Sequence, residues 1–210
     1  MPPDAVLTLV LVRHGETEGE SSVRYHGRND VALSDLGRAQ MRSVRRAIEE
    51  RFGARRFSHV FSSPMIRALE SARIVTGESA ISTLHEFAEV DFGLFEGLTA
   101  EEIEQRHPEE FARWNLNRLA SDYQYPGGEH RGDFARRIEG GLERMLELID
   151  REPSARDTRA IVVAHRGVIR TIVNKLTMTE PHVDLGSIQI LVRDHTWRPE
   201  LLDHVAHLEE

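Results

Sequence analysis

Apolar residues recur along this chain in two rhythms. Short continuous runs rich in Val, Leu and Ile occupy residues 6–12, 58–62, 160–164 and 187–192. Runs of this length suit strands buried on both faces. Between them, apolar positions return at helical spacing. "SDLGRAQMRSVRRAIEERF" opens on Ser34, a favoured N-cap. "SPMIRALESARIV" sets Ser63 before Pro64, which predicts a cap followed by a proline in the first turn. "TAEEIEQRHPEEFARW" starts from Thr99 with Glu102 three residues on, the spacing of a capping box. "GDFARRIEGGLERMLELID" is amphipathic despite its paired glycines, and "GVIRTIVNKL" directly follows the third run. Strands alternating with helices predict an α/β fold, a mostly parallel sheet between helical layers. Residues 81–131 show little strand pattern and read as loops and helices over one edge.

Ligands of such sheets gather at the carboxyl ends of the strands, so the residues after each run matter most. The first run ends in Arg13, His14, Gly15 and Glu16; the second in Ser62, Ser63 and Pro64, with Arg67 a helical turn on; the third in His165, Arg166 and Gly167. Two imidazoles and three guanidiniums make a poor core and a good pocket for a phosphoryl group. Arginine offers a planar fork of donors that matches phosphate oxygens and keeps its charge. A neutral imidazole can attack phosphorus and split one displacement into two easier ones, while the guanidiniums offset charge on the equatorial oxygens. Gly15 and Gly167 leave room for backbone to approach a ligand. A carboxylic acid is still required to protonate the leaving alkoxide and later to activate water.

Composition narrows the ligand. The 210 residues carry 27 Lys and Arg against 35 Asp and Glu, a formal charge of −8, which argues against nucleic acid or an anionic membrane as partner. An anionic substrate therefore needs local positive charge. The chain has no cysteine, which excludes disulfides, thiolate catalysis and cysteine-based metal sites. No stretch reads as a secretory signal or reaches membrane-spanning length, so a cytoplasmic protein is expected. His204 and His207 stand three apart near the end and read as part of a solvated terminal helix rather than a metal site. Trp114 and Trp197 read as packing residues.

"LVRHGET", "SSPMIRALESA", "FAEVDFGLFEG" and "VVAHRGVIR" follow one another in an order and spacing that resembles the histidine phosphatase superfamily, the phosphoglycerate-mutase-like proteins. The resemblance spans residues 7–170. It implies one domain over residues 1–210, a three-layer α/β/α sandwich with a lid-like helical and loop insertion at about residues 99–131, and a mechanism without metal or other cofactor. It also implies roles: His14 as the phosphorylated nucleophile, Arg13 and Arg67 as phosphate ligands, His165 as a second histidine on the phosphoryl oxygens, and Glu89 as proton donor. A small phosphomonoester is then the substrate, hydrolysed through a phosphohistidine, and a homodimer is compatible with the family.

The chain also departs from that pattern. Where many members carry asparagine after the nucleophile, it has Glu20, whose carboxylate must turn from the phosphate, pair with a cation such as Arg24, or be protonated. Ser21 and Ser22 are alternative donors. Glu20, Arg24, Gly27 and Arg166 are candidate substrate contacts, and Arg166 replaces a common glycine. In "PGGEH", His130 replaces a serine and reads as a harmless variant. Tyr123 and Tyr125 are candidate contacts in the insertion. Cofactor-dependent mutases usually read "GxLQGxNK" after the acid and have a longer insertion with paired arginines. Here the text is "FGLFEGLTAEEI", and the spacing of Arg113 and Arg118 does not match. The phosphatase branch is favoured over a phosphoglycerate-type mutase, and a non-catalytic phosphate-binding protein stands further off.

Overall fold

Strand β1 (Val6–Arg13) shows why the first apolar run has no alternation. Leu7, Leu9 and Leu11 enter one hydrophobic cluster while Val10 and Val12 enter another, so both faces of the strand are covered. In this computed structural model, which describes residues 6–19, 23–53, 57–118, 120–151 and 157–208, the two clusters are the two seams of a three-layer sandwich. Helices α5 (Arg131–Arg151) and α6 (Arg166–Thr177) pack on one face through residues such as Ile138, Met145, Ile169 and Val173. Helices α1 (Asp35–Phe52) and α2 (Ile66–Thr76) cover the other through Met41, Val44, Ile48, Ala72 and Val75. Each fully buried Val, Leu, Ile or Met side chain contributes about 1.5–3 kcal/mol, so these seams dominate the stability of the fold.

The sheet also contains β2 (His59–Ser62), β3 (Ser82–Thr83), β4 (Asp157–Ala164), β5 (Ile188–Arg193) and β6 (Trp197–His204), in the order β3-β2-β4-β1-β5-β6. β3, β2, β4 and β1 run parallel; β5 runs antiparallel to β1, and β6 antiparallel to β5. Register decides what meets at the strand ends. Arg13 pairs with Ala164 and Ser62 with Val163, so His14, Ser63 and His165 leave the sheet side by side.

Ser34 caps α1 as its sequence predicts, accepting from Gly37 N–H at 3.0 Å. The capping box of Thr99 and Glu102 opens α3 (Ala100–Arg106). That helical stretch does not run on as one element: it breaks at His107, and α4 (Pro108–Asn117) starts afresh with its proline in the first turn, because proline disfavours helical backbone in the residue before it. The expected cap-then-proline start at Ser63 is also wrong, since α2 begins at Ile66 without a side-chain cap; Ser63 Oγ accepts from Met65 N–H, ahead of the helix, at 3.3 Å and also bonds His165. The pattern missed β3, too short to carry a period, and β6. β6 is an edge strand with Pro199 and the exposed Arg198 and Glu200, features an edge tolerates and a central strand does not. The terminal segment is not a solvated helix. His204 ends β6, and His207 is buried in a 3-10 turn (Ala206–Leu208), where its Nε2 donates to Gly186 C=O at 3.1 Å. Among the described residues, no helix is long and apolar enough to cross a membrane.

Candidate active site

His14 follows directly on β1, and its backbone N–H donates to Ala164 C=O, which ties it to the end of β4. The ring Nδ1 lies 2.7 Å from Gly15 C=O. A carbonyl only accepts, so Nδ1 carries the proton and the Nε2 lone pair is free. Burial, reinforced by the Arg67 and Arg13 charges, holds this imidazole well below the usual histidine range, and therefore neutral. His165 sits edge-on to it, ring centroids 5.1 Å apart. Burial and then Arg67 hold its ring below the usual range as well. Ser63 Oγ is 2.7 Å from His165 Nε2, the tertiary bond that replaces the expected helix cap.

Arg13 is anchored through Nη1 to Val183 C=O at 3.1 Å, and burial lowers its pKa to about 10, which leaves it charged at neutral pH. Arg67, only 1% exposed, donates to Gly27 C=O at 2.7 Å and Asn29 C=O at 2.8 Å. Arg13 Nε, Arg67 Nε and His165 Nδ1 are buried without a hydrogen-bond partner among the described residues. Buried polar atoms are rarely left so; Arg13 and Arg67 line a cavity of about 220 Å³ together with His14, which suits a ligand rich in acceptor oxygens, whereas His165 is fully buried against His14 and does not line it.

Glu89 lines the same cavity. Its carboxylate accepts from its neighbour Val90 N–H at 3.0 Å and from Gly167 N–H, in the first turn of α6, at 3.1 Å. The space at Gly167 is thus taken by this side chain, since a Cβ there would lie 2.6 Å from Glu89 Oε1. At Gly15 the neighbour is likewise protein, with the Gly37 carbonyl 2.5 Å from a would-be Cβ. Both glycines therefore permit close internal packing rather than the approach of backbone to a ligand.

Two residues that sequence reasoning missed hold this wall in place. Arg137 on α5 grips the backbone beside Glu89, donating to Glu86 C=O at 2.6 Å and Ala88 C=O at 2.9 Å. Its other donors are bound by the Glu129 carboxylate at 2.8 and 2.9 Å, which also accepts from Asp91 N–H. The only signal for either in the sequence was a polar residue on an amphipathic helix and an acid in a glycine-rich turn.

The candidate contacts separate. Glu20, with Ser21 and Ser22, lies outside the described residues. Arg24 lines the cavity, but its guanidinium is committed to Glu102 at 2.5 Å and to Gly97 C=O at 2.9 Å. Gly27 contributes the carbonyl that holds Arg67. Arg166 borders this cavity and a second, outer one of about 610 Å³, which also shares Tyr25, Glu89 and Phe92. Tyr125 lines the outer cavity and Tyr123 does not. His130 faces neither: its Nδ1 accepts from Gly132 N–H at 3.1 Å, opening α5. Trp197 packs as expected, under Arg193. Trp114 packs against Tyr25, Phe95 and Phe111 but also lines the outer cavity, so the packing reading was incomplete. Among the described residues, no cluster of three or more His, Cys, Asp or Glu could hold a metal ion.

The family profile described as "Histidine phosphatase superfamily (branch 1)" matches residues 9–199, and the chain belongs to that superfamily. Phosphoglycerate mutase-like protein 4 of Arabidopsis thaliana is 29% identical over 210 residues, covering 96% of this chain and 87% of its own. A metal-independent phosphoserine phosphatase of the same plant is 29% identical over 211 residues, covering 97% and 84%. The chain spans about half the length of a bifunctional protein of Mycobacterium tuberculosis, 30% identical over 87% of this chain and 49% of that one. The alpha-ribazole phosphatase of Shigella flexneri superposes with a TM-score of 0.79 over 94% of this chain and 96% of its own, at 22% identity, which speaks for the fold.

Proposed function

We propose that this member of the histidine phosphatase superfamily is a metal-independent phosphomonoesterase acting on a small phosphorylated metabolite through a phosphohistidine at His14. The observation that carries the reading is the state of that imidazole: Nδ1–H is spent on Gly15 C=O, leaving Nε2 unprotonated in a cavity flanked by Arg13 and Arg67. In the first step Nε2 attacks phosphorus as the bond to the leaving oxygen breaks. Arg13 and Arg67 offset charge on the equatorial oxygens, so the proposed chemistry asks for no metal. His165 donates from Nδ1, its other nitrogen being engaged by Ser63. Glu89, as the carboxylic acid, protonates the departing alkoxide. The resulting carboxylate then takes a proton from water, whose oxygen attacks the phosphohistidine, releases inorganic phosphate and returns His14 to its starting state. The name of the metal-independent phosphoserine phosphatase among the relatives supports this reading. So does the size of the inner cavity, about 220 Å³, within an otherwise acidic chain, which favours a small ester over a polyanion.

The test is phosphate release from a panel of phosphomonoesters in EDTA, with His14→Ala alongside and isomerisation of 3-phosphoglycerate followed in the same samples. Release in EDTA that vanishes with His14→Ala is expected. Isomerisation without release would make the protein a mutase, and neither activity would make it a phosphate-binding protein.

A further inference from the structure

The inner cavity accounts for the phosphoryl group and leaves the larger outer one without an occupant. The two share Glu89. On the phosphomonoesterase reading, the alcohol departs on the side of its proton donor, opposite the attacking nitrogen. The outer cavity is therefore where the leaving group lies.

Its charge is one-sided. Arg118, Arg131, Arg166 and Arg170 line it, with Glu89 and Glu180. Arg170 is paired with Glu180 at 3.0 Å, and Glu89 is held by backbone amides. Among the described residues, Arg118, Arg131 and Arg166 have no carboxylate partner. They come from three places: just past the end of α4, the start of α5 and the start of α6. A chain with 35 acids and 27 bases nevertheless gathers these three guanidiniums without a carboxylate partner around one cavity, an arrangement that suits an anion between them.

The wall behind them is aromatic and donor-bearing. Arg118 lies over the Trp114 ring at 5.9 Å, and Trp114 meets Tyr25 edge-on at 5.8 Å. Phe92 joins Tyr25 and Tyr125 in two further edge-on contacts, at 5.1 and 5.0 Å. Burial raises the pKa of the Tyr25 hydroxyl, which senses Arg118 and Arg166, and that of Tyr125, to about 12, which senses Arg131. Both phenols thus keep a proton to donate.

We propose that the alcohol portion of the substrate carries a second anionic group, a carboxylate or a second phosphate, bound by Arg118, Arg131 and Arg166 in the outer cavity. This proposal rests on the phosphomonoesterase reading and adds to it the class of ester cleaved.

The test uses matched esters: 3-phosphoglycerate against glycerol 3-phosphate for a carboxylate, and fructose 1,6-bisphosphate against fructose 6-phosphate for a second phosphate. The ratio of kcat/KM within each pair is measured for the intact protein, and the ratio of Kd values for His14→Ala by calorimetry. At least about a tenfold preference for the acid-bearing member of one pair is expected, comparable to one or two charge-assisted contacts, and that pair identifies the anion. The preference should fall towards one in Arg131→Gln/Arg166→Gln. Arg113→Gln, which removes a charge from α4 where Glu110 pairs it at 3.3 Å, should keep it. Equal handling of both members in both pairs overturns the proposal. So does a preference that survives the double substitution, or a double variant that weakens both members alike. If no ester is turned over, the phosphomonoesterase reading fails, and the Kd ratio in His14→Ala still decides the second anion.

Discussion

Gly167→Ala should separate catalysis from stability. Gly167 is the second residue of α6, where alanine gains up to about 1 kcal/mol of helix propensity over glycine. Against this, the new methyl would lie 2.6 Å from Glu89 Oε1 and 3.0 Å from the Phe134 ring, where ordinary contact begins at 3.4 Å. The tighter neighbour is the far end of a flexible side chain, so the carboxylate gives way by about 0.8 Å while the helix stays put. Stability should then change by no more than about 1 kcal/mol, or about 2–4 °C in Tm for a chain of this size. Catalysis should not escape so lightly, because misplacing a reacting group by about 1 Å can cost about 10²-fold. The loss should depend on the leaving group. A poor one such as the glycerol alkoxide needs the acid and should lose close to that factor in kcat/KM, which reports the phosphorylation step alone; p-nitrophenolate needs it less and should lose several-fold less. Steady-state kinetics on glycerol 3-phosphate and p-nitrophenyl phosphate, with thermal melts of the same samples, give both answers. Equal losses on the two esters would refute Glu89 as the acid. An unchanged kcat/KM with a melt lowered well beyond 4 °C would show that Phe134 and the helix, not the carboxylate, take up the strain.

Three further outcomes follow from the same geometry. His14 and His165 are both held below the ordinary histidine value of about 6.5; between the folded and unfolded pKa values the unfolded chain binds more protons, so their contribution is present above about pH 6.5 and lost as pH falls below it. Urea midpoints at pH 7 and pH 5 should therefore differ less in His14→Asn/His165→Asn than in the intact protein, and equal differences would place the acid sensitivity elsewhere. Arg67→Lys cannot reach both Gly27 C=O and Asn29 C=O; losing a bond at about 1.5–3 kcal/mol should lower the urea midpoint and weaken competitive inhibition by inorganic phosphate, and an unaltered midpoint would show that the two bonds are dispensable. Ser34→Ala removes the α1 cap and the bond to Glu16 at 2.6 Å, and should cost about 1 kcal/mol in urea unfolding with kcat kept, since neither residue lines a cavity of the site.

What could be read before folding was whatever a strand or helix encodes locally. Residues 6–12 are apolar on both sides because two helical layers cover β1, and that burial is why Arg13 and His14 stand at the carboxyl end of a central strand rather than in a surface loop. The same logic located His165. Ser63 shows where local rules yield. A serine before a proline usually caps a helix, but here the hydroxyl bonds a histidine 102 positions away, and α2 starts later without a side-chain cap. β6 was illegible because an edge strand needs only part of the apolar pattern and accepts Pro199. The braces of Glu89 were hidden for a different reason. Arg137 has the helical spacing of a solvated charge, and only the packing of α5 beside residues 86–91 turns its guanidinium inward. Of the arginines of the outer cavity, Arg166 was a candidate contact because it follows His165, while Arg118 and Arg131 were hidden in the same way as Arg137. Only the convergence of three helix ends exposes the charge they share, so the groups proposed to act on phosphorus were legible in the chain, whereas of those proposed to choose the ester Arg166 alone was, and its company of Arg118 and Arg131 becomes visible only once the chain is folded.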